Sequence, residues 1–161
     1  MVTKASDIMT TSVFSVSPSM LLSDLEWEFS RRRISGAPVI EEGKLVGMIS
    51  RADIVRRIGF SHAMSDMALD YYRQLEGALE GDHPKDLERL ADQTLGSQLR
   101  TLLVRDAMTT HPATVTPQQS AAEIAKLMLE QSVHRVLVTE HSRVLGVVST
   151  LDLVRLLAEG P

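Results

Sequence analysis

The chain has 161 residues, 43% of them hydrophobic and 24% charged, an ordinary globular composition at a length that supports a sizeable core. The formal net charge of −4 at pH 7 argues against a protein that wraps nucleic acid, which needs a broad excess of cations. Cysteine is absent, so disulfides, thiolate metal sites and a thiol nucleophile are excluded. No apolar run approaches the ~18 residues of a membrane span, and the first residues lack a secretory apolar block. A soluble, cytoplasmic protein that does not enter membranes is the expectation.

An internal repeat organises the sequence. Residues 6–58 align with 105–157 without a gap. Asp7, Met9, Thr10, Thr11, Val16, Pro18, Val39, Glu41, Gly47, Ser50, Asp53, Val55 and Arg56 each meet an identical residue. In chain order, Phe14 to Val16 read as a short extended segment, after which Ser17-Pro18 open a helix with Leu21, Leu22, Leu25 and Phe29 on its apolar face. The basic run Arg31-Arg32-Arg33 reads as a solvated helix end that complements the negative pole of the dipole. Ala37–Ile40 and Leu45–Ile49 read as strands around an Glu42-Gly43-Lys44 turn, and a second helix starts near Ser50 and Asp53.

Residues 59–104 have no counterpart elsewhere. Met64, Met67, Ala68, Tyr71, Tyr72, Leu75, Ala78 and Leu79 keep helical spacing, Gly81-Asp82-His83-Pro84 breaks it, and Leu87, Leu90, Ala91 and Leu95 resume it, with Leu99, Leu102 and Leu103 as a continuation. The second repeat returns to the first pattern. Ala121, Ala122, Ile124, Ala125, Met128 and Leu129 mark a helix, Val136–Thr139 and Val144–Val148 mark strands around His141-Ser142-Arg143, and a helix begins near Ser149 and Asp152. A single copy is marginal alone because so little surface can be buried. The expected architecture is therefore α+β: two tandem β-α-β-β-α motifs, 1–58 and 105–161, packed sheet to sheet about a pseudo-two-fold axis, with the helical insert 59–104 between them.

"GMISRAD" (Gly47–Asp53) and "GVVSTLD" (Gly146–Asp152) are one pattern written twice. A serine at a strand-to-helix turn and an aspartate three residues on can simply cap the helix, worth about 1 kcal/mol. The same pair suits a ribose phosphate. A carboxylate offers two acceptor oxygens to a vicinal diol, and the hydroxyl can reach ribose or phosphate. Both readings stand on the sequence.

The repeats resemble CBS motifs, named for cystathionine β-synthase, whose tandem pairs form Bateman modules. "DIMTTSVFSVSP", "ISGAPVIEEGKLVGMISRADIV" and "VHRVLVTEHSRVLGVVSTLDLV" carry the resemblance, which covers both repeats and omits the insert. It implies a sensor of AMP, ADP, ATP or a relative such as S-adenosylmethionine, with Asp53 and Asp152 on ribose and Ser50 and Ser149 beside them. The run "VHRVLV" is similar to one in the γ subunit of AMP-activated protein kinase, where a His-Arg pair faces phosphates. By that resemblance His134 and Arg135 serve the site of Ser50 and Asp53, while Ile34, Ser35 and Gly36 face the site of Ser149 and Asp152. A homodimer formed through helical faces is implied as well. Output through a separate effector protein is a further expectation, with the insert 59–104 as the docking or self-association surface.

Catalytic signatures are missing. His62, His83, His111, His134 and His141 have no paired metal spacing, and no nucleophile elbow, phosphate-cradling glycine loop or dinucleotide fingerprint occurs. The expectation is a regulatory ligand-binding module that is not an enzyme and holds no dedicated metal. The competing expectation is a structural dimerisation or scaffold protein without a physiological nucleotide.

Overall fold

In the computed structural model, residues 2–59 and 99–159 are described. The insert positions from Met64 to Leu95 lie outside them. The architecture is mixed α+β. In chain order the elements are α1 (Ala5–Ile8), α2 (Leu22–Arg32), β1 (Gly36–Glu41), β2 (Lys44–Ser50), α3 (51–59), α4 (Val104–Ala107), β3 (Thr114–Val115), α5 (Ala121–Gln131), β4 (Arg135–Glu140), β5 (Arg143–Ser149) and α6 (Thr150–Glu159). Two compact units cut across the repeats. One comprises Met1–Pro18, Gly36–Ile49 and Thr109–Pro161, the other Ser19–Ser35 and Ser50–Met108.

The first unit holds both sheets. β1 pairs with β2, and β3-β4-β5 form a second sheet in which β3 runs parallel and β5 antiparallel to β4. The two-residue hairpin turns, Glu42-Gly43 and His141-Ser142, have positive φ at both positions. That is the mirror-image turn whose twist matches the flanking strands. Val136, Leu137 and Val138 of β4 are all fully buried, which explains why this strand is a continuous apolar run rather than an alternating one. Val136 and Val138 join Ala5, Val115, Ile124, Met128 and Val148 in one core cluster.

The N-terminal segment of each repeat pairs with the last strand of the other. Thr10 bridges Val147 of β5, and Thr109 bridges Met48 of β2, each through reciprocal N–H···O bonds of 2.8–3.0 Å. These two bridges occupy equivalent positions in the repeats, so the exchange is symmetrical. It carries a packing requirement. A Cβ on Gly146 would lie 2.7 Å from Met9 Sδ and 2.9 Å from the Thr10 carbonyl oxygen, so only glycine admits the incoming segment.

The second unit shows the same logic at α2. The helix starts at Leu22, not at Pro18, because Leu21 is kept extended by a bridge to Leu103. Leu22 N–H donates to the Leu102 carbonyl, so Leu102 and Leu103 are extended rather than a continuation of an insert helix. In the first unit Ala121 N–H donates to Thr3 in the equivalent manner, while Ser120 and Glu123 close a capping box on α5. Hydrogen bonds from the Ser120 hydroxyl and then its N–H hold the Glu123 carboxyl below its ordinary pKa. Both α2 and α5 end on left-handed residues, Arg33 and Ser132.

Gly146→Ala is expected to destabilise the protein by about 1–3 kcal/mol, since the added methyl meets backbone that cannot swing aside. Urea denaturation of the two proteins measures it; an unchanged midpoint would remove the close approach at Thr10.

Candidate functional site

Each Ser/Asp pair sits where a strand ends and a helix begins, and both close the same hydrogen-bonded ring. In the first repeat Asp53 Oδ2 accepts from Ser50 N at 2.9 Å and Ser50 Oγ at 2.6 Å, and Asp53 N donates back to Ser50 Oγ at 3.3 Å. In the second, Asp152 Oδ2 accepts from Ser149 N at 2.8 Å and Oγ at 2.6 Å, and Asp152 N donates to Ser149 Oγ at 3.4 Å. One carboxylate oxygen therefore caps the helix, as the bland reading of the sequence proposes. It also fixes the aspartate rotamer, leaving the other oxygen, Oδ1, in a defined place.

The two Oδ1 atoms differ in surroundings. Arg56 Nη1 donates to Asp53 Oδ1 at 2.9 Å, whereas Arg155 Nη1 stands 3.7 Å from Asp152 Oδ1, an ion pair without a hydrogen bond. Both arginines are largely exposed, so neither pair contributes much to stability. A hydroxyl donor approaching Asp152 Oδ1 meets an oxygen without a hydrogen bond from Arg155, while one approaching Asp53 Oδ1 competes with an exposed, hydrogen-bonded guanidinium. Arg56 and Arg155 are identical in the two repeats, and that identity three residues after the aspartate is the signal that marks them as part of the site.

The loop before each central strand is tied to the same turn. Thr150 N and Oγ1 both donate to the His134 carbonyl at 3.0 Å, and Arg51 N donates to the Ser35 carbonyl at 3.0 Å. Arg135 pairs with Ser149 across the β4–β5 ladder. His134, Arg135, Ser149 and Asp152 thus share one local frame in the first unit, and Ile34, Ser35, Ser50 and Asp53 belong to the second.

Arg135 also bears on Gly36, its own counterpart in the repeat. A Cβ on Gly36 would lie 2.8 Å from Arg135 Nη1 and 3.3 Å from the carbonyl oxygen of Ile49, the residue before Ser50. The glycine makes room for a guanidinium from the other repeat, at the end of β2. Among the described residues no cluster of three or more His, Cys, Asp or Glu side chains could hold a metal ion. No helix among them is long and apolar enough to cross a membrane.

Comparison with known proteins agrees with this frame. The model of the CBS domain matches residues 5–59 and 104–159, and the chain belongs to the CBS domain family. It is 33% identical over 131 residues to the uncharacterised protein MJ1426 of Methanocaldococcus jannaschii, covering 80% of this chain and 76% of that protein. CBSX2 of Arabidopsis thaliana has the same fold with a TM-score of 0.70 at 22% identity, covering 99% of this chain and 96% of that one. CBSX2 is also known in complex with AMP. The CBS domain pair of protein MJ0100, in complex with 5′-methylthioadenosine and S-adenosyl-L-methionine, has a TM-score of 0.66 at 17% identity, covering 99% of this chain and 98% of that one.

Gly36→Ala is expected to change folding stability by less than about 1 kcal/mol, because the closest atom it meets is the far end of a flexible side chain. It should nevertheless displace Arg135. Denaturation together with NMR of the arginine side-chain N–H groups reports both; an unmoved Arg135 signal would mean that the guanidinium does not pack on Gly36.

Proposed function

We propose that this protein is a regulatory module that binds an adenosine-type nucleotide, AMP, ADP, ATP or a relative such as S-adenosylmethionine, and is not an enzyme. The observation that carries the reading is the duplicated ring at Ser50/Asp53 and Ser149/Asp152. Each ring commits one carboxylate oxygen to the helix and holds the second at a fixed point, suited to a ribose diol. The AMP complex of CBSX2 and the adenosyl complexes of the MJ0100 pair support the ligand class.

In this reading Arg135 and His134 meet the phosphates of a nucleotide whose ribose lies on Asp53. The packing of the Arg135 guanidinium beside Gly36 and the Ile49 carbonyl supports that assignment. Ile34, Ser35 and Gly36 are assigned to the second ligand, whose ribose lies on Asp152. Signal passes through two arrangements with different affinity for the nucleotide, to a separate effector protein. A cytoplasmic homodimer belongs to the same reading. Its support is the set of exposed apolar side chains on helices, Trp27, Val55, Leu129, Leu151, Val154 and Leu157.

The helix-capping role of the serines and aspartates favours a second reading, a scaffold in which these residues serve only the fold. Calorimetry separates the two. Asp53→Ala is expected to weaken adenosine and AMP binding at one site about tenfold or more, from the loss of a charge-assisted hydrogen bond. Unchanged affinity in a variant that still melts cooperatively favours the scaffold. Arg135→Ala is expected to weaken ATP more than adenosine; equal losses would take Arg135 away from the phosphates.

A further inference from the structure

Of the three consecutive arginines that end α2, two are occupied locally. Arg31 Nη2 and Arg32 Nε donate to the Glu28 carboxylate at 2.9 and 2.7 Å, and those bonds, Arg32 first, hold Glu28 below its ordinary pKa. Arg31 also lies over the Trp27 ring, 4.9 Å from its centroid. Arg33 differs. Its left-handed backbone, with φ 56°, turns it out of the helix, and it enters none of the ion pairs found among the described residues.

Arg33 lines an open depression of about 450 Å³ with Phe29, Ser30, Ile34, Ser35 and Arg51, all within the second unit. Arg51 is held in place there. Its Nη2 donates to Ser30 Oγ at 3.0 Å, its Nε donates to Glu26 Oε2 at 3.3 Å, and its backbone N–H is bonded to Ser35. Two guanidinium groups and two hydroxyl-bearing residues thus ring a small apolar floor of Phe29 and Ile34. Among the described residues, the carboxylate bonded to this pair of cations is that of Glu26, on Arg51.

The repeat shows that the fold does not ask for these cations. At the positions equivalent to Arg33, Arg51, Ser30 and Ser35 the second repeat carries Ser132, Thr150, Leu129 and His134. Ser132 ends its helix with φ 53°, nearly the same left-handed turn, without a charge. Thr150 starts its helix and bonds the preceding loop just as Arg51 does. Arginines at both places in the first repeat are therefore surplus to helix ending and helix starting.

We propose that this depression is a phosphate-binding site, taking the phosphoryl groups of a free polyphosphate or of a nucleotide. The proposal deepens the nucleotide reading, in which Ile34 and Ser35 belong to the second ligand, and its test separates the two. It also gives the Ile34-Ser35-Gly36 region the positive charge that its own three residues lack. A guanidinium pair with flanking hydroxyls matches the tetrahedral, multiply charged oxygens of phosphate, and arginine is the side chain whose fork fits them. Glu26 competes with the anion for Arg51, so the site is tuned rather than maximally basic.

Calorimetry at low salt with sodium tripolyphosphate, ATP and adenosine tests this on the full chain. Arg33→Gly removes one cation at a left-handed position that glycine adopts without strain, so the variant keeps the helix ending. It is expected to weaken tripolyphosphate about tenfold while adenosine is unaffected. Glu26→Gln, which removes the competing carboxylate, is expected to tighten tripolyphosphate several-fold. If ATP weakens in parallel with tripolyphosphate, nucleotide phosphates enter the site; if tripolyphosphate alone weakens, the site takes free phosphate. Tripolyphosphate binding with no adenosine binding would uphold the phosphate site and overturn the nucleotide reading. No tripolyphosphate binding to the unaltered protein, or equal affinity in Arg33→Gly, would overturn the phosphate site.

Discussion

Equivalent residues of the two repeats meet, and where they meet they cannot be alike. Gly36 and Arg135 hold the same place in their copies, yet the guanidinium of one occupies the space where the other would carry a side chain. Two arginines there would collide and repel, while two glycines would leave a gap and no cation. Duplication therefore forces a choice at this point of contact, and the choice makes the two halves chemically unequal. Much of the functional reading descends from that asymmetry.

The same duplication explains the conserved architecture of each turn within the chain. A strand that ends on serine and a helix that begins two residues before its aspartate need a capping partner, and the Ser–Asp ring supplies it in both copies. Because the cap consumes only one carboxylate oxygen, the residues that stabilise the helix are also available to a ligand. In the proposed reading, structure and recognition use different atoms of one side chain.

The repeat, the strands and the Ser/Asp turns were legible because they are periodic or duplicated, and a pattern seen twice in 161 residues carries its own control. The exchange of Thr10 and Thr109 between the repeats was not, since a bridge between distant segments leaves no local periodicity. The start of α2 was misplaced for a related reason: Pro18 is a good local opening, but pairing of Leu21 with Leu103 overrides it. Arg33 and Arg51 were readable as letters only. Nothing in their spacing says that a left-handed turn and a contact with Ser30 bring them to one depression. Nothing in the sequence around Gly36, placed by resemblance at the site of Asp152, says that the Arg135 guanidinium packs against it.

The claim that the paired turns are ligand-binding elements, beyond being caps, is tested most directly by two-dimensional NMR of the isotopically labelled protein titrated with adenosine. The amide signals of Ser50, Asp53, Ser149 and Asp152 are expected to shift together as the nucleoside saturates, because its hydroxyls would bind the carboxylates whose other oxygens accept from the Ser50 and Ser149 N–H groups, while the Asp53 and Asp152 N–H groups close the same rings on the serine hydroxyls. Signals at all four amides that stay fixed at millimolar adenosine would contradict the account and leave the rings as helix caps alone.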